Sequence, residues 1–222
     1  MARAFRPRVG RVSPVRRLRC VAEPPKERVG VLGGTFDPIH VGHVVVAVES
    51  RCALGLDRVL LVVAGDPWQK RGRVVASPRD RVAMARAAVD GLEGVEVSTV
   101  EIDHGRASVT ADTLEALAAP GRELFLLLGA DAVANMPTWR RLDETRDLCT
   151  LVVVTRAGER ADAPGRGWRV EHVTIPRLDV SSTELRDRLA NGRPIDGLVP
   201  PAVVREIRAR HLYTPSDGDG DG

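Results

Sequence analysis

Arg58-Val59-Leu60-Leu61-Val62-Val63-Ala64 is apolar at every position after its first. A strand with one wet face alternates apolar and polar residues, because successive side chains point to opposite sides of the sheet. A run that is apolar in both phases therefore reads as a strand buried on both faces, the habit of parallel sheets covered by helices. Leu124–Leu128 and Leu151–Thr155 share this character, and Val29–Gly33 is a shorter run that ends in glycines. Val95–Val100 alternates, and Val170–Ile175 reads as a last strand.

Segments of helical composition lie between the strands: Val41–Leu54, Pro78–Val89, Ala111–Ala118, Ser182–Ala190 and Ala202–Arg210. Pro78 suits a first helical turn, where a missing N–H leaves no bond unmade. Strand and helix alternate with no internal repeat and no dividing linker. The expectation is one α/β domain over residues 29–213, a single doubly wound parallel sheet with helices on both faces.

The 222 residues are 43% hydrophobic and 28% charged, which is a globular composition with material for a core. No apolar run approaches the roughly 20 residues that a membrane span needs. The net charge of +3 is unevenly placed. Residues 1–28 hold nine Lys/Arg against two Asp/Glu, residues 214–222 hold three Asp, and the rest of the chain sums to −1. The basic character thus belongs to an arm and not to a face of the domain, so neither nucleic acid nor membrane is expected as a partner. With four prolines and no helical or strand period, residues 1–28 read as a disordered Arg/Pro-rich arm, and residues 214–222 as a disordered acidic tail. Cys20, Cys52 and Cys149 are an odd, scattered set without metal-ligand spacing, which suits a reducing cytoplasm.

The chemistry is concentrated in Gly33-Gly34-Thr35-Phe36-Asp37-Pro38-Ile39-His40-Val41-Gly42-His43, which follows the first strand and opens the first helix. In a doubly wound sheet, ligands bind beyond the carboxyl ends of the strands, near the switch in strand order. Glycines let backbone N–H groups approach an anion closely, and a helix N-terminus favours negative charge. His40 and His43, three apart, share a helical face and can donate to oxygens that gain charge in a transition state. Neither a GxxxxGK[ST] phosphate loop nor a GxGxxG dinucleotide fingerprint is present. Zinc binding by the pair would need a third ligand that the sequence does not reveal, and a packing role is the remaining alternative.

GGTFDPIHVGH resembles the HxGH signature of nucleotidyltransferases, in the form found in bacterial nicotinate-nucleotide adenylyltransferases. Further segments are similar to that family in the same order: Gly65-Asp66-Pro67-Trp68-Gln69-Lys70, Ser108–Leu114 against SYTxDTL, and Leu128-Gly129-Ala130-Asp131 followed by Pro137-Thr138-Trp139. Thr155-Arg156-Ala157-Gly158, Val180–Arg186 against ISSTxIR, Leu198-Val199-Pro200 and Leu212-Tyr213 complete the series. Departures are Val109 for Tyr, Ala157 for Pro, Val180 and Leu185 for isoleucines, and Trp68-Gln69 where many relatives carry Pro-His.

The resemblance implies a Rossmann-like cytoplasmic enzyme that transfers AMP from ATP, with Mg2+ carried on the triphosphate, to nicotinate mononucleotide. The products are nicotinate adenine dinucleotide and pyrophosphate, formed without a covalent enzyme intermediate. It further implies Gly34, Thr35 and Phe36 along the phosphates, His40 and His43 as the catalytic pair, and Ser182, Thr183 and Arg186 on the outgoing pyrophosphate. Asp131 would accept from adenosine-side groups. Trp139 would stack on the pyridine ring, Thr110 would bond its carboxylate, and Lys70 and Arg156 would neutralise the mononucleotide phosphate. No protein-held metal is implied. Read without the family, Ser182-Thr183 and Asp131 are ordinary helix caps and Trp139 is ordinary core. A sister adenylyltransferase acting on nicotinamide mononucleotide or another phosphate monoester is the alternative activity. A binding protein using the Arg-rich arm is the alternative of another class. The sequence does not give the oligomeric state.

Overall fold

The computed structural model describes residues 26–66, 75–105, 108–159 and 165–214. Along the chain these form β1 (Glu27–Gly34), α1 (Val41–Leu54), β2 (Arg58–Val63), α2 (Pro78–Val89), β3 (Val95–Ser98), α3 (Val100–His104) and α4 (Thr110–Leu117). There follow β4 (Arg122–Gly129), α5 (Ala130–Asn135), a 3-10 turn (Met136–Thr138), α6 (Leu142–Leu148), β5 (Thr150–Arg156), β6 (Val170–Ile175), α7 (Ser182–Ala190) and α8 (Pro201–Ala209). Among the described residues the strands make one sheet in the order β3-β2-β1-β4-β5-β6, every pair parallel. The chain steps outward one way from β1, then returns to its other side with β4. This switch point opens a crevice beyond the carboxyl ends of β1 and β4.

The two-phase apolar runs are sorted by the pleat. Val59, Leu61, Val63, Phe125, Leu127, Val152 and Val154 face one core, shared with buried residues of α1, α2, α7 and α8. Leu60, Val62, Leu124, Leu126, Leu128, Leu151 and Val153 face a second core, closed by α4, α5 and the turn after it. Among the described residues no helix is long and apolar enough to cross a membrane.

Most element ends shift by one or two residues from the sequence reading, and two of the differences have a clear physical reason. The sheet begins at Glu27, inside the span assigned to the arm. The Glu27 N–H bonds the Gly121 carbonyl at 2.7 Å, its carboxylate pairs with Arg58 and Arg122, and the Arg28 N–H bonds Asp57 Oδ2 at 2.7 Å. Charged residues at a strand start carry no apolar period, so pairing alone recruits them. The alternation Val95–Val100 stops as a strand at Ser98. Val100 opens α3, whose start is tied by a 2.8 Å bond from the Thr99 hydroxyl to Asp103.

Candidate active site

Phe36 and Ile39 are buried in the core and pin the loop between β1 and α1 from below. Phe36 adopts a positive φ of 52°, folding its ring back under Gly34. A Cβ at position 34 would fall 2.7 Å from Phe36 Cε1, so the second glycine of the motif is required by this fold-back. The ring then meets the His43 imidazole edge-on, with centroids 5.0 Å apart. The side chain of Phe36 is therefore core; only its backbone can face a phosphate.

His40 is not on the helix proper but caps it, with extended backbone (φ −141°, ψ 171°). Its N–H donates to His43 Nδ1 at 3.3 Å, and the two rings stack with centroids 3.7 Å apart. Because Nδ1 of His43 accepts, that ring carries its N–H on Nε2. Gly42 explains the spacing of the motif. A Cβ there would lie 3.0 Å from His40 Nδ1 and 3.3 Å from Val180 Cγ1. His40 is nearly buried, and its pKa is lowered to about 4, first by burial and then by the charge of Arg156. It is a neutral hydrogen-bonding ring at physiological pH. Its Nδ1 is buried without a partner among the described residues.

The start of α7 is stitched to this loop. Ser181 is the cap, its Oγ accepting from the Glu184 N–H at 3.1 Å. Ser182 and Thr183 fall in the first turn, where backbone N–H groups have no intrahelical acceptor. The Ser182 hydroxyl donates to the Pro38 carbonyl at 2.9 Å, and Arg186 donates to the Asp37 carbonyl at 2.6 Å. The motif histidines and the residues Ser182, Thr183 and Arg186 are thus brought to one place, as two helix N-termini beside one loop.

Beside them, over the carboxyl ends of β1, β2 and β4, lies a cavity of about 440 Å³. Gly34, Thr35, Thr110, Asp131 and Trp139 line it. Thr110 is the first residue of α4. Trp139 is half-buried against the second core, its N–H closing the 3-10 turn onto the Met136 carbonyl at 2.9 Å. Asp131 is exposed in the first turn of α5, whose cap is Gly129, so it is not the capping residue. Arg156, at the end of β5, is close enough to His40 to lower its pKa and pairs with Glu159 at 3.6 Å. Lys70 lies outside the described residues.

The cytidylyltransferase-like family model matches residues 31–188. A protein of Roseiflexus sp. (strain RS-1), named "Probable nicotinate-nucleotide adenylyltransferase", is 47% identical over 193 residues, covering 83% of this chain and 97% of the relative. One of the same name from Corynebacterium kroppenstedtii is 45% identical over 194 residues, covering 85% and 92%. This chain belongs to the nicotinate-nucleotide adenylyltransferase family. In fold it is similar to the Plasmodium falciparum nicotinic acid mononucleotide adenylyltransferase complexed with NaAD. That match has a TM-score of 0.71 at 18% identity, over 84% of this chain and 97% of the other.

Further residues, to which the sequence alone gives no role, organise the site of this adenylyltransferase. Asp37, 2% exposed, accepts from the N–H groups of Val75 and Ala76 at 2.8 and 3.0 Å and from the Tyr213 hydroxyl at 2.7 Å. Its Oδ2 also lies 3.7 Å from Arg186. Arg81, 1% exposed, donates to the carbonyls of Thr35 and Ala64 at 2.9 and 2.7 Å, tying the ends of β1 and β2 together. A signal for Arg81 was present: it stands three, four and seven residues before the buried Met84, Ala85 and Ala88 of α2, on the apolar stripe. Glu101 and Ser108 also line the cavity; Glu101 accepts from the Thr113 hydroxyl at 2.7 Å.

Proposed function

We propose that the chain transfers AMP from MgATP to nicotinate mononucleotide, releasing pyrophosphate and forming nicotinate adenine dinucleotide for cytoplasmic NAD synthesis. The observation that carries this reading is the stacked His40–His43 pair, set between the N-termini of α1 and α7 and next to a cavity bearing Trp139 and Thr110.

A phosphate oxygen of the mononucleotide attacks the α-phosphorus in line as the bond to the pyrophosphate oxygen breaks. Magnesium arrives on the triphosphate as part of the substrate. The chain supplies position and donors aimed at developing charge, the main resources of such transfers. His43 donates from Nε2 and His40 acts as a neutral donor, so both respond to charge that appears on phosphate oxygens in the transition state. Backbone N–H groups at Gly34, Thr35 and Phe36 follow the phosphates. The first turn of α7, through Ser182 and Thr183 with Arg186, takes the leaving pyrophosphate. Asp131 accepts from adenosine-side groups. On the acceptor side, the pyridine ring stacks on Trp139, its carboxylate bonds Thr110, and Lys70 and Arg156 neutralise the mononucleotide phosphate.

The test is pyrophosphate release and dinucleotide formation from ATP with nicotinate mononucleotide, nicotinamide mononucleotide or another phosphate monoester as acceptor. Turnover with the nicotinate compound, lost on substituting both histidines, is expected. Turnover only with a different monoester would overturn the acceptor, and no adenylyl transfer with any would overturn the reaction.

A further inference from the structure

Thr110 and Trp139 reach the cavity from separate elements, one from the start of α4 and the other from the turn after α5. A ring held against the indole can bond the hydroxyl only if the gap between these elements is fixed. Arg141, two residues beyond Trp139, spans that gap. Its guanidinium bonds the carboxylates of Asp112 and Glu115, which are two and five residues beyond Thr110 on α4. The Glu115 bond is 2.6 Å long, and Nε also donates to Glu144 Oε2 on α6 at 2.9 Å.

The backbone is bent to make this possible. Arg141 has φ 56° and ψ 41°, a left-handed conformation uncommon for a residue with a side chain. It is held there because the N–H and the hydroxyl of the fully buried Thr145 both bond the Arg141 carbonyl, each at 3.0 Å. Such a conformation persists where its surroundings over-determine it, and is more informative than the ion pairs themselves. The charges are partly exposed, so the network is a weak source of stability. Its geometry is specific, however: a planar fork bridges the two segments that carry the pocket residues, with the carboxylate of Glu144 held below its usual range by the same cation.

We propose that Arg141 is a positioning residue for the acceptor ring, setting the distance between the Trp139 indole and the Thr110 hydroxyl. This rests on the assignment of those two residues to the acceptor. Without the brace, Asp112, Glu115 and Glu144 repel one another, α4 moves from the turn, and the ring loses its simultaneous contact with both.

The experiment is steady-state kinetics and thermal unfolding of the full chain carrying Arg141→Ala, Arg141→Gly, Arg141→Lys or Trp139→Ala, with ATP and each mononucleotide varied in turn. Glycine tolerates the left-handed backbone and keeps the test valid if the alanine variant folds poorly. Displacing a contact by about 1 Å can cost up to about 100-fold, so the expected rise in KM for nicotinate mononucleotide in Arg141→Ala and Arg141→Gly is about tenfold. The KM for ATP stays within about twofold, the preference for the acid over the amide narrows, and Arg141→Lys is intermediate. Equal rises in both KM values, tracking the loss of melting temperature, would make Arg141 a structural brace and overturn the proposal. An unchanged acceptor KM in the Arg141 variants, with a raised one in Trp139→Ala, would overturn it while leaving the ring pocket intact. An unchanged acceptor KM in Trp139→Ala would overturn the ring pocket and this proposal with it.

Discussion

The Tyr213 hydroxyl donates to Asp37 Oδ1 at 2.7 Å across 176 residues of chain, closing the end of the domain onto the loop that carries His40. Both groups are buried, and the phenol's pKa is raised well above its ordinary value near 10 by burial and by the Asp37 charge. Tyr213→Phe removes the donor and keeps the ring, so about 1–3 kcal/mol of stability should be lost in urea unfolding. Asp37→Asn should cost more, about 3 kcal/mol or above, because its amide turns a donor toward the N–H groups of Val75 and Ala76. The same contact sets a pH limit. A folded pKa above the unfolded one gives stability that is complete below the unfolded value and declines as pH rises toward the folded one. Stability of the wild type should therefore fall above about pH 10, with a shallower fall in Tyr213→Phe. Identical slopes would contradict the assignment.

His40 behaves in the opposite sense. Its folded pKa of about 4 lies below the ordinary 6.5, so its contribution to stability is present above about pH 6.5 and is lost as pH falls toward 4. Proton NMR of the imidazole should show no titration of His40 near 6.5, and His40→Gln should unfold with a weaker acid dependence. An ordinary titration midpoint for His40 would mean that the ring is not desolvated in solution.

If the stacked rings stabilise charge formed mainly in the transition state, His40→Ala or His43→Ala should each lower kcat about 100- to 1,000-fold, about 2.7–4 kcal/mol, with little change in ATP affinity. Gly42→Ala is the sharper probe because the proposed reaction gives this residue no substrate contact of its own. The new methyl would press on His40 Nδ1 at 3.0 Å and on Val180 at 3.3 Å, turning the ring while leaving both histidines in place. Its kcat should fall about tenfold or more with the melting temperature nearly kept, since misplaced donors lose their advantage steeply. Wild-type turnover in Gly42→Ala would show that the ring stack is not what the glycine protects.

The sheet was legible because burial on both faces leaves a direct mark, the two-phase apolar run, and the pleat divides it between two cores as in Val59-Leu60-Leu61-Val62. The HxGH loop was legible as residues, but its internal logic was not. Spacing placed His40 on the helix, whereas it caps the helix and lends its N–H to His43. Asp37 and Tyr213 meet across a long stretch of chain, which no local period records, and the stripe of α2 marks Arg81 as inward-facing without showing the carbonyls it bonds. Short helices such as α5 and α6 span too few turns to show a stripe, so periodicity does not bring Trp139 to Thr110; the resemblance implied that meeting, and the folded chain lines one cavity with both.

In the proposed reaction, acceptor choice depends on that meeting. Nicotinate and nicotinamide mononucleotides differ by a ring carboxylate against a carboxamide. A carboxylate only accepts hydrogen bonds, so donors such as the Thr110 hydroxyl and nearby backbone N–H groups can all be satisfied by it. The carboxamide would turn an NH2 toward one of those donors and leave it unpaired, a loss of about 1–3 kcal/mol. The expected preference for the acid in kcat/KM is about tenfold or more, about 1.4 kcal/mol. Glu101 sharpens the test, since the residue lines the same cavity and a carboxylate oxygen turned into it would accept from an NH2. Its Oε1 is engaged by the Thr113 hydroxyl at 2.7 Å and its Oε2 is buried, which holds both oxygens away from that role. Thr110→Val should therefore reduce kcat/KM for the acid more than for the amide, whereas Trp139→Ala should weaken both alike, because stacking is blind to the substituent. Glu101→Gln should leave the ratio on the acid side. Equal kcat/KM for the two mononucleotides in the wild type would refute acid selection by this cavity, and a ratio reversed toward the amide that Glu101→Gln abolishes would identify Glu101 as the group that reads the ring.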